Sequence, residues 1–108
     1  SAAHVLAVKL KACARQDSEI FCVGYREPSL VFYAQRPVRF NPPWREIAEC
    51  WAANQDFICI VRDKHLEEIP PFLRENLHKV NHAAGYLPSK GVWMSWTFLA
   101  PGSAPTSQ

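Results

Sequence analysis

The chain has 108 residues, a length that suits one domain, and its 48% hydrophobic content is sufficient to build a core. Its formal net charge is +2 and the basic residues are scattered along the chain, which argues against a nucleic-acid-binding protein. No apolar run reaches the roughly 18 residues that a membrane-spanning helix needs, so the sequence predicts a soluble piece.

The first third of the chain predicts a helix, a buried strand and a second helix. Residues Ala2–Ala14 have an amphipathic helical composition. The run Ile20–Val23 is apolar on both of its alternating faces, which is typical of a central strand in a parallel sheet. After a turn that begins at Gly24, Pro28 suits the first position of a helix. The dense apolar run Leu30–Ala34 predicts that this helix is buried.

The middle of the chain repeats the alternation of strand and helix. A short strand with an arginine, Val38–Phe40, is predicted at a sheet edge. Phe57–Val61 is again apolar on both faces and predicts a second central strand. Between them, apolar residues recur at helical spacing and predict a helix whose tryptophans belong to the core. These residues are Trp44, Ile47, Ala48, Trp51 and Ala52.

The last third predicts a broken helix and a hairpin. Pro70-Pro71 should divide the segment that starts at Lys64 into two short helical pieces. A turn at 88–91 then connects two strands, His78–Leu87 and Val92–Ala100. On the second of these, the even-numbered residues from 92 to 98 share one face, which should be the core face. The odd-numbered residues from 93 to 99 should lie closer to solvent or to a partner surface. We expect one domain over residues 1–100 and a disordered tail over Pro101–Gln108.

A strand–helix–strand–helix–strand order implies right-handed crossovers and a parallel core. The predicted fold is therefore an α/β domain of three layers, similar to a Rossmann fold. It has parallel central strands and a C-terminal antiparallel hairpin.

The turn after the first strand is the strongest candidate site. Open α/β sheets bind ligands beyond the carboxyl ends of their strands, where helix N–H groups also point outward. The candidate residues in this turn are Gly24, Tyr25, Arg26, Glu27 and Ser29. Arg62 and Lys64 follow the third strand and should lie on the same rim. Two alternatives stay open: the turn has a purely structural role, with Glu27 or Ser29 capping the helix, or Arg62–Lys64 is a solvated loop with Asp63 as a helix N-cap.

Other chemistry has little support. No nucleotide-binding, zinc-protease or serine-hydrolase motif occurs, so we assign no catalytic residue, cofactor or metal. His78 and His82 should share one face of the chain as surface residues. The four cysteines never occur as CxxC and are expected to be buried free thiols. In an oxidising compartment, Cys22 and Cys59 on neighbouring strands form the one pair worth considering for a disulfide.

Two segments resemble a known family. These are VGYREPSLVFYAQRPVRF and AAGYLPSKGVWMSWTFL. They are similar to sequences in the soluble C-terminal domain of ArnT-like, protein-mannosyltransferase-like bacterial membrane glycosyltransferases of the GT-C type. In that family a strand ending in Gly-Tyr precedes Glu-Pro-Ser-Leu-Val-Phe, and a late turn precedes the last strand. This chain departs from the family at Leu87-Pro88, where an Asn-Tyr-type pair is common, so a polar role of that turn cannot be carried over from the family.

The resemblance implies an accessory, extracytoplasmic (periplasmic) domain of a polytopic glycosyltransferase that uses a polyprenyl-phosphate-linked sugar. The catalytic carboxylate would lie outside this chain, and the N-terminal helix would follow the last membrane span. The implied partners are the membrane-embedded part of the same polypeptide and the lipid-linked sugar or the acceptor. The alternative is a free-standing, Rossmann-like domain that binds a small anionic or phosphorylated ligand at the same rim.

Overall fold

A computed structural model describes residues 1–102 of the chain and contains a five-stranded sheet of order β2-β1-β3-β5-β4. The strands are β1 (Glu19–Val23), β2 (Arg39–Phe40), β3 (Phe57–Arg62), β4 (Leu77–Leu87) and β5 (Val92–Pro101). The helices are α1 (Ala2–Cys13), α2 (Pro28–Ala34), α3 (Trp44–Ala52), a 3₁₀ helix (Asp63–Glu68) and α4 (Pro71–Arg74).

The sheet has a parallel part and an antiparallel part. β1 pairs in parallel with β2 and with β3. β5 pairs antiparallel with both β3 and β4. The mixed α/β fold with a C-terminal hairpin and an edge strand β2 is therefore confirmed. The prediction that a disordered tail begins at Pro101 is wrong for its first two residues, because Pro101 belongs to β5 and the Gly102 N–H donates to the Asn76 carbonyl. The rest of the predicted tail, residues 103–108, lies outside the described residues.

Two hydrophobic clusters cover the two faces of the sheet, as the doubly apolar strands require. On what we call the α1 face, Ile20 of β1 and Phe98 of β5 pack with α1 and α2. On the α3 face, Phe21 of β1 and Cys59 of β3 pack with α3, the 3₁₀ helix and α4. Each central strand thus sends alternate side chains into opposite clusters.

The two fully buried cysteines lie on opposite faces of the sheet. Cys22 belongs to the cluster on the α1 face and Cys59 to the cluster on the α3 face. Side chains that point away from one another cannot form a disulfide without movement of the backbone. This placement rules out the Cys22–Cys59 pair, and all four cysteines are free thiols.

Helix α2 is less buried than its composition predicts. Leu30 and Ala34 are buried, but the Phe32 side chain is 76% exposed and Tyr33 is also exposed. The helix has only seven residues and packs beside α1, so one narrow stripe reaches the core. The expectation of a buried helix is wrong for its outer half.

The α3 face also differs from the expectation in two places. Trp44 and Trp51 are partly buried at the margin of the cluster, whereas Ile47 is fully buried. On β5, Thr97 and Leu99 are buried rather than close to solvent, because the segment after β3 covers them. Pro70-Pro71 does divide that segment into two short helices, as predicted.

A β-bulge at Val80 changes the orientation of half of β4. Lys79 pairs with Leu99, but Asn81 pairs with Phe98, so one residue of β4 has no partner. His78 therefore faces the α1 side of the sheet with Ala100, and His82 faces the α3 side with Thr97. The expectation that the two histidines share a face is wrong, because it assumed a regular strand.

Candidate functional site: a cationic cleft at the switch point of the sheet

The sheet reverses its winding direction between β1 and β3. Helix α2, which leads from β1 to β2, packs on the α1 face, and α3, which leads from β2 back past β1 to β3, packs on the α3 face. In open α/β sheets, this arrangement leaves a crevice outside the carboxyl ends of the two central strands, and ligands bind there. The topology therefore indicates where a site should lie.

A cleft of about 280 Å³ occupies that position. We call it the switch-point cleft. Its wall comes from the turn after β1, the residue after β2, the end of β3 and the tip of the β4–β5 hairpin. The lining residues are Gly24, Tyr25, Arg26, Glu27, Asn41, Arg62, Leu87, Ser89, Lys90 and Met94. The structure thus brings the Gly24–Glu27 turn and Arg62 together, as the sequence predicted.

Gly24 is required for the shape of the turn. Its φ is +86°, a left-handed conformation that non-glycine residues rarely adopt. A Cβ at this position would also lie 2.5 Å from His65 Cδ2 and 2.9 Å from Arg62 Cβ. Asn41 holds the turn from the other side, since its Oδ1 accepts the Gly24 N–H at 2.7 Å. The floor of the cleft is therefore fixed by close packing.

Tyr25 anchors the turn to the core. Its ring is 6% exposed and packs edge-on against Trp96, with the ring centroids 5.3 Å apart. Burial, with smaller contributions from Glu27 and Cys22, raises the pKa of Tyr25 to about 12. The phenol therefore stays neutral and does not offset the charges of the neighbouring cations.

The charge of the cleft comes from side chains that have no internal partner. Three cations, Arg26, Arg62 and Lys90, line it together with one carboxylate, Glu27. Among residues 1–102, no carboxylate forms an ion pair with any of these three cations. Arginine and lysine in such a crevice are suited to phosphate or carboxylate groups.

Helix α2 adds less to the cleft than the sequence suggested. Glu27 occupies the N-cap position, but its side chain makes no capping hydrogen bond, and Ser29 lies one residue inside the helix. The Gly24 N–H is already bonded to Asn41, and the Leu30 N–H donates to the Glu27 carbonyl. These two N–H groups are therefore not available to a ligand, and the alternative in which the Glu27 side chain caps the helix is wrong.

Two of the predicted site residues lie outside the cleft. Ser29 lines a neighbouring depression between the start of α1 and the hairpin tip. Lys64 is exposed and does not line the cleft, because the chain enters the 3₁₀ helix immediately after Arg62. The cleft therefore contains the other five predicted residues but not Ser29 or Lys64.

Sequence reasoning missed Asn41 and Lys90. Asn41 has a φ of +48°, and an Asn at the end of a strand is a recognisable signal for such a turn. No sequence pattern around Lys90 predicts that it lines the cleft, because its position depends on how far the hairpin extends past β3.

A second polar cluster lies beside the cleft, and it too was missed. The carboxylate of Asp63 accepts hydrogen bonds from Ser95 Oγ at 2.6 Å and from Thr97 Oγ1 at 2.6 Å. His82 Nε2 lies 3.0 Å from the same carboxylate. We call these four residues the Asp63 cluster. Asp63 does not cap the 3₁₀ helix, whose cap position is Arg62, because its side chain turns towards the hairpin instead.

The Asp63 cluster ties the end of β3 to the hairpin and does not form a catalytic relay. Burial opposes ionisation of Asp63, but the hydrogen bonds from Ser95, Thr97 and His82 together outweigh it and lower its pKa below the ordinary value. In a nucleophilic triad the serine would donate to the histidine. Here Ser95 donates directly to the carboxylate, so its hydroxyl is not activated.

The opposite end of the sheet has a larger concavity, of about 400 Å³, but its polar groups serve the fold. Ser18 Oγ donates to Asp56, and Gln55 Nε2 donates to the Asp17 carbonyl at 3.0 Å. Arg15 and Asp56 bring opposite charges to it. This end has no excess of cations.

Within residues 1–102, no group of three or more His, Cys, Asp or Glu side chains is placed to hold a metal ion. Over the same range, no helix is both long and apolar enough to cross a bilayer.

Comparison with known proteins gives no relative from which to infer a function. No family model, no curated protein and no solved structure matches this chain.

Proposed function

We propose that this chain is a non-catalytic accessory domain that binds an anionic group in the switch-point cleft. The observation that carries this proposal is the presence of three cations, Arg26, Arg62 and Lys90, in the crevice where the sheet changes direction. No carboxylate within residues 1–102 pairs with them. Helices on both faces of the sheet support our assignment of the fold to the three-layer, Rossmann-like class.

The biological setting that we propose follows from the resemblance of the segments Val23–Phe40 and Ala83–Leu99. The domain belongs to the extracytoplasmic side of a polytopic bacterial glycosyltransferase that uses a polyprenyl-phosphate-linked sugar. Its partner is the membrane-embedded part of the same polypeptide, where the catalytic carboxylate lies. The cleft faces that part and contacts the phosphate end of the lipid-linked sugar or an acidic group of the acceptor.

The chemistry of the cleft fits a role in positioning rather than in catalysis. Cationic side chains hold an anion, but they supply neither a nucleophile nor a general base. The closest carboxylate, Glu27, is exposed, and Tyr25 stays neutral. Transferase activity is therefore not expected from this chain alone.

A direct test is calorimetric titration of the 108-residue chain with geranyl phosphate, a short soluble polyprenyl phosphate, and with geraniol as the uncharged control. Binding of the phosphate but not of the alcohol is the expected result. Arg26→Ala with Arg62→Ala should weaken binding about tenfold. Lys11→Ala with Arg45→Ala removes the same charge at a distance and should change binding little. Equal weakening by both pairs would show that only the net charge matters, and the site would be wrong.

The same titration distinguishes the alternative, a free-standing domain for a small phosphorylated ligand. Glucose 1-phosphate and adenosine monophosphate carry the phosphate without the prenyl chain. Tighter binding of either one than of geranyl phosphate would favour that alternative. In the membrane setting, Arg26→Glu with Arg62→Glu should reduce the activity of the full-length transferase, and unchanged activity would contradict the proposed orientation.

A further inference from the structure

The β4–β5 hairpin projects past the end of the parallel strands. The last residue of β3, Arg62, pairs with Trp96, but β5 begins four residues further out, at Val92. At the usual rise per residue of a strand, this overhang is about 13 Å long. The tip therefore projects past the parallel strands, and the start of α1 lies beside it on one face.

Both faces of this overhang carry exposed apolar side chains. Tyr86 and Trp93 form a cross-strand aromatic pair with centroids 5.5 Å apart, and the Trp93 side chain is 73% exposed. On the opposite face, Leu87 pairs with Val92, which is 39% exposed. We call Tyr86, Leu87, Val92 and Trp93, with the turn between them, the hairpin tip.

The surroundings of the tip have a net positive charge, because three cations outnumber one carboxylate, Glu27. Lys90 lies in its turn, and Arg26 and Arg62 line the cleft that the tip helps to form. Tryptophan and tyrosine prefer the boundary between hydrocarbon and water, since their rings are apolar and their N–H and O–H groups are polar. Cations beside such residues match an anionic headgroup layer.

We propose that the hairpin tip inserts into the interfacial region of an anionic lipid bilayer, with Tyr86 and Trp93 at the headgroup level. The proposal rests on the proposed function for the membrane setting. The start of α1 lies at the same end of the molecule, because Ser1–Ala3 line a depression together with Tyr86 and Leu87. A preceding membrane span would then bring the bilayer to the tip, and the switch-point cleft would lie beside the lipid headgroups.

The test uses the 108-residue chain and vesicles of phosphatidylglycerol and phosphatidylcholine. Co-sedimentation should show binding to the anionic vesicles that weakens as salt increases. Trp93→Ala should lower the partition coefficient about tenfold, because a large aromatic side chain no longer leaves water. The matched control is Phe32→Ala, since Phe32 is 76% exposed and lies on the outer surface of α2. This control should bind like the parent chain.

A fluorescence measurement keeps the test independent of any effect on folding. Lipids brominated near the headgroups should quench part of the tryptophan emission of the parent chain. Trp93→Phe keeps an aromatic ring and should still bind, but this quenching should largely disappear. Absence of vesicle binding, or equal quenching in both proteins, would overturn the proposal.

A third outcome assigns the tip to a different occupant. If the parent chain instead fails to bind vesicles and forms a dimer that the Trp93→Ala substitution dissociates, the tip is an interface between two copies, and the proposal is wrong. Titration with geranyl phosphate separates this failure from failure of the proposed function. Phosphate binding that depends on Arg26 and Arg62 would leave the anion-binding function intact even where the vesicle test fails.

Discussion

The two ends of the sheet use their arginines in opposite ways. At the amino ends of the strands, the Arg36 guanidinium donates to the carbonyls of Arg15, Gln16 and Ser18, at 3.0, 3.4 and 2.5 Å. At the carboxyl ends, Arg26 and Arg62 line a cleft and no carboxylate within residues 1–102 pairs with them. One end uses its charge to hold the loop before β1, and at the other end the arginines have no carboxylate partner within residues 1–102, as the proposed anion site requires.

The carboxyl end of the sheet itself contains both kinds of charged group, those with partners inside the protein and those without. Asp63 lies directly after Arg62, yet its carboxylate has three partners inside the protein: His82, Ser95 and Thr97. A charged side chain with hydrogen-bond partners inside the protein should contribute to the stability of the fold. A charged side chain without such partners should contribute to anion binding. Variants of both kinds of group test that division.

The largest effect should come from the floor of the cleft. Gly24→Ala should lower the free energy of unfolding by about 3 kcal/mol, because it combines a left-handed backbone with a clash against His65 and Arg62. Gly91→Ala is the control. Gly91 also has a positive φ, of +64°, but the nearest atom to its added Cβ lies at 3.7 Å, so about 1 kcal/mol is expected. Urea denaturation of both variants measures the difference, and equal losses would contradict the close packing at Gly24.

The Asp63 cluster should give the next largest effect. Asp63→Asn replaces one carboxylate oxygen by an N–H donor that faces existing donors, so the free energy of unfolding should fall by about 2 kcal/mol. The control Asp17→Asn removes only an exposed ion pair with Arg15, at 3.4 Å, and should change stability by less than about 0.5 kcal/mol. A cluster variant as stable as its control would mean that these hydrogen bonds do not stabilise the hairpin.

The arginines should separate stability from binding. Arg36→Ala should cost about 1–2 kcal/mol of stability, because it removes the donor to three loop carbonyls. Arg26→Ala should leave stability within about 0.5 kcal/mol of the parent chain and weaken binding of geranyl phosphate. A large loss of stability in Arg26→Ala would show that this arginine belongs to the fold.

The pH dependence of stability should be the smallest effect. The folded-state pKa of Asp63 is lowered, so its contribution is fully present above the unfolded pKa of about 4 and is lost as the pH falls through the lower folded value. Between about pH 5 and pH 2, the parent chain should therefore lose more stability than Asp63→Asn. Parallel curves for the two proteins would contradict the lowered pKa.

Much of the sheet was predictable because its signals are local. Ile20–Val23 and Phe57–Val61 are apolar on both faces, and only strands covered on both sides need that pattern. The helical spacing from Trp44 to Ala52 and the break at Pro70-Pro71 are likewise properties of neighbouring residues. The Gly24–Glu27 turn could be located because such turns follow central strands.

The remaining features depend on contacts between residues far apart in the chain. The bulge at Val80 accompanies a hydrogen bond from Asn81 Nδ2 to the Lys9 carbonyl, 72 residues away. Asp63 meets Ser95 and Thr97 only after the hairpin folds back beside β3. Lys90 joins the cleft only because β5 overhangs β3. No local pattern of residues contains this information.

Chemical-shift mapping by NMR can locate an anion bound at the carboxyl ends of the strands. Titration of the ¹⁵N-labelled chain with geranyl phosphate should shift the backbone amides of Gly24, Arg26, Asn41, Arg62 and Lys90. The amides of Arg15, Arg36 and Asn54, at the amino ends of the strands, should not move. Shifts confined to that opposite end, or no saturable shifts at all, would contradict the account.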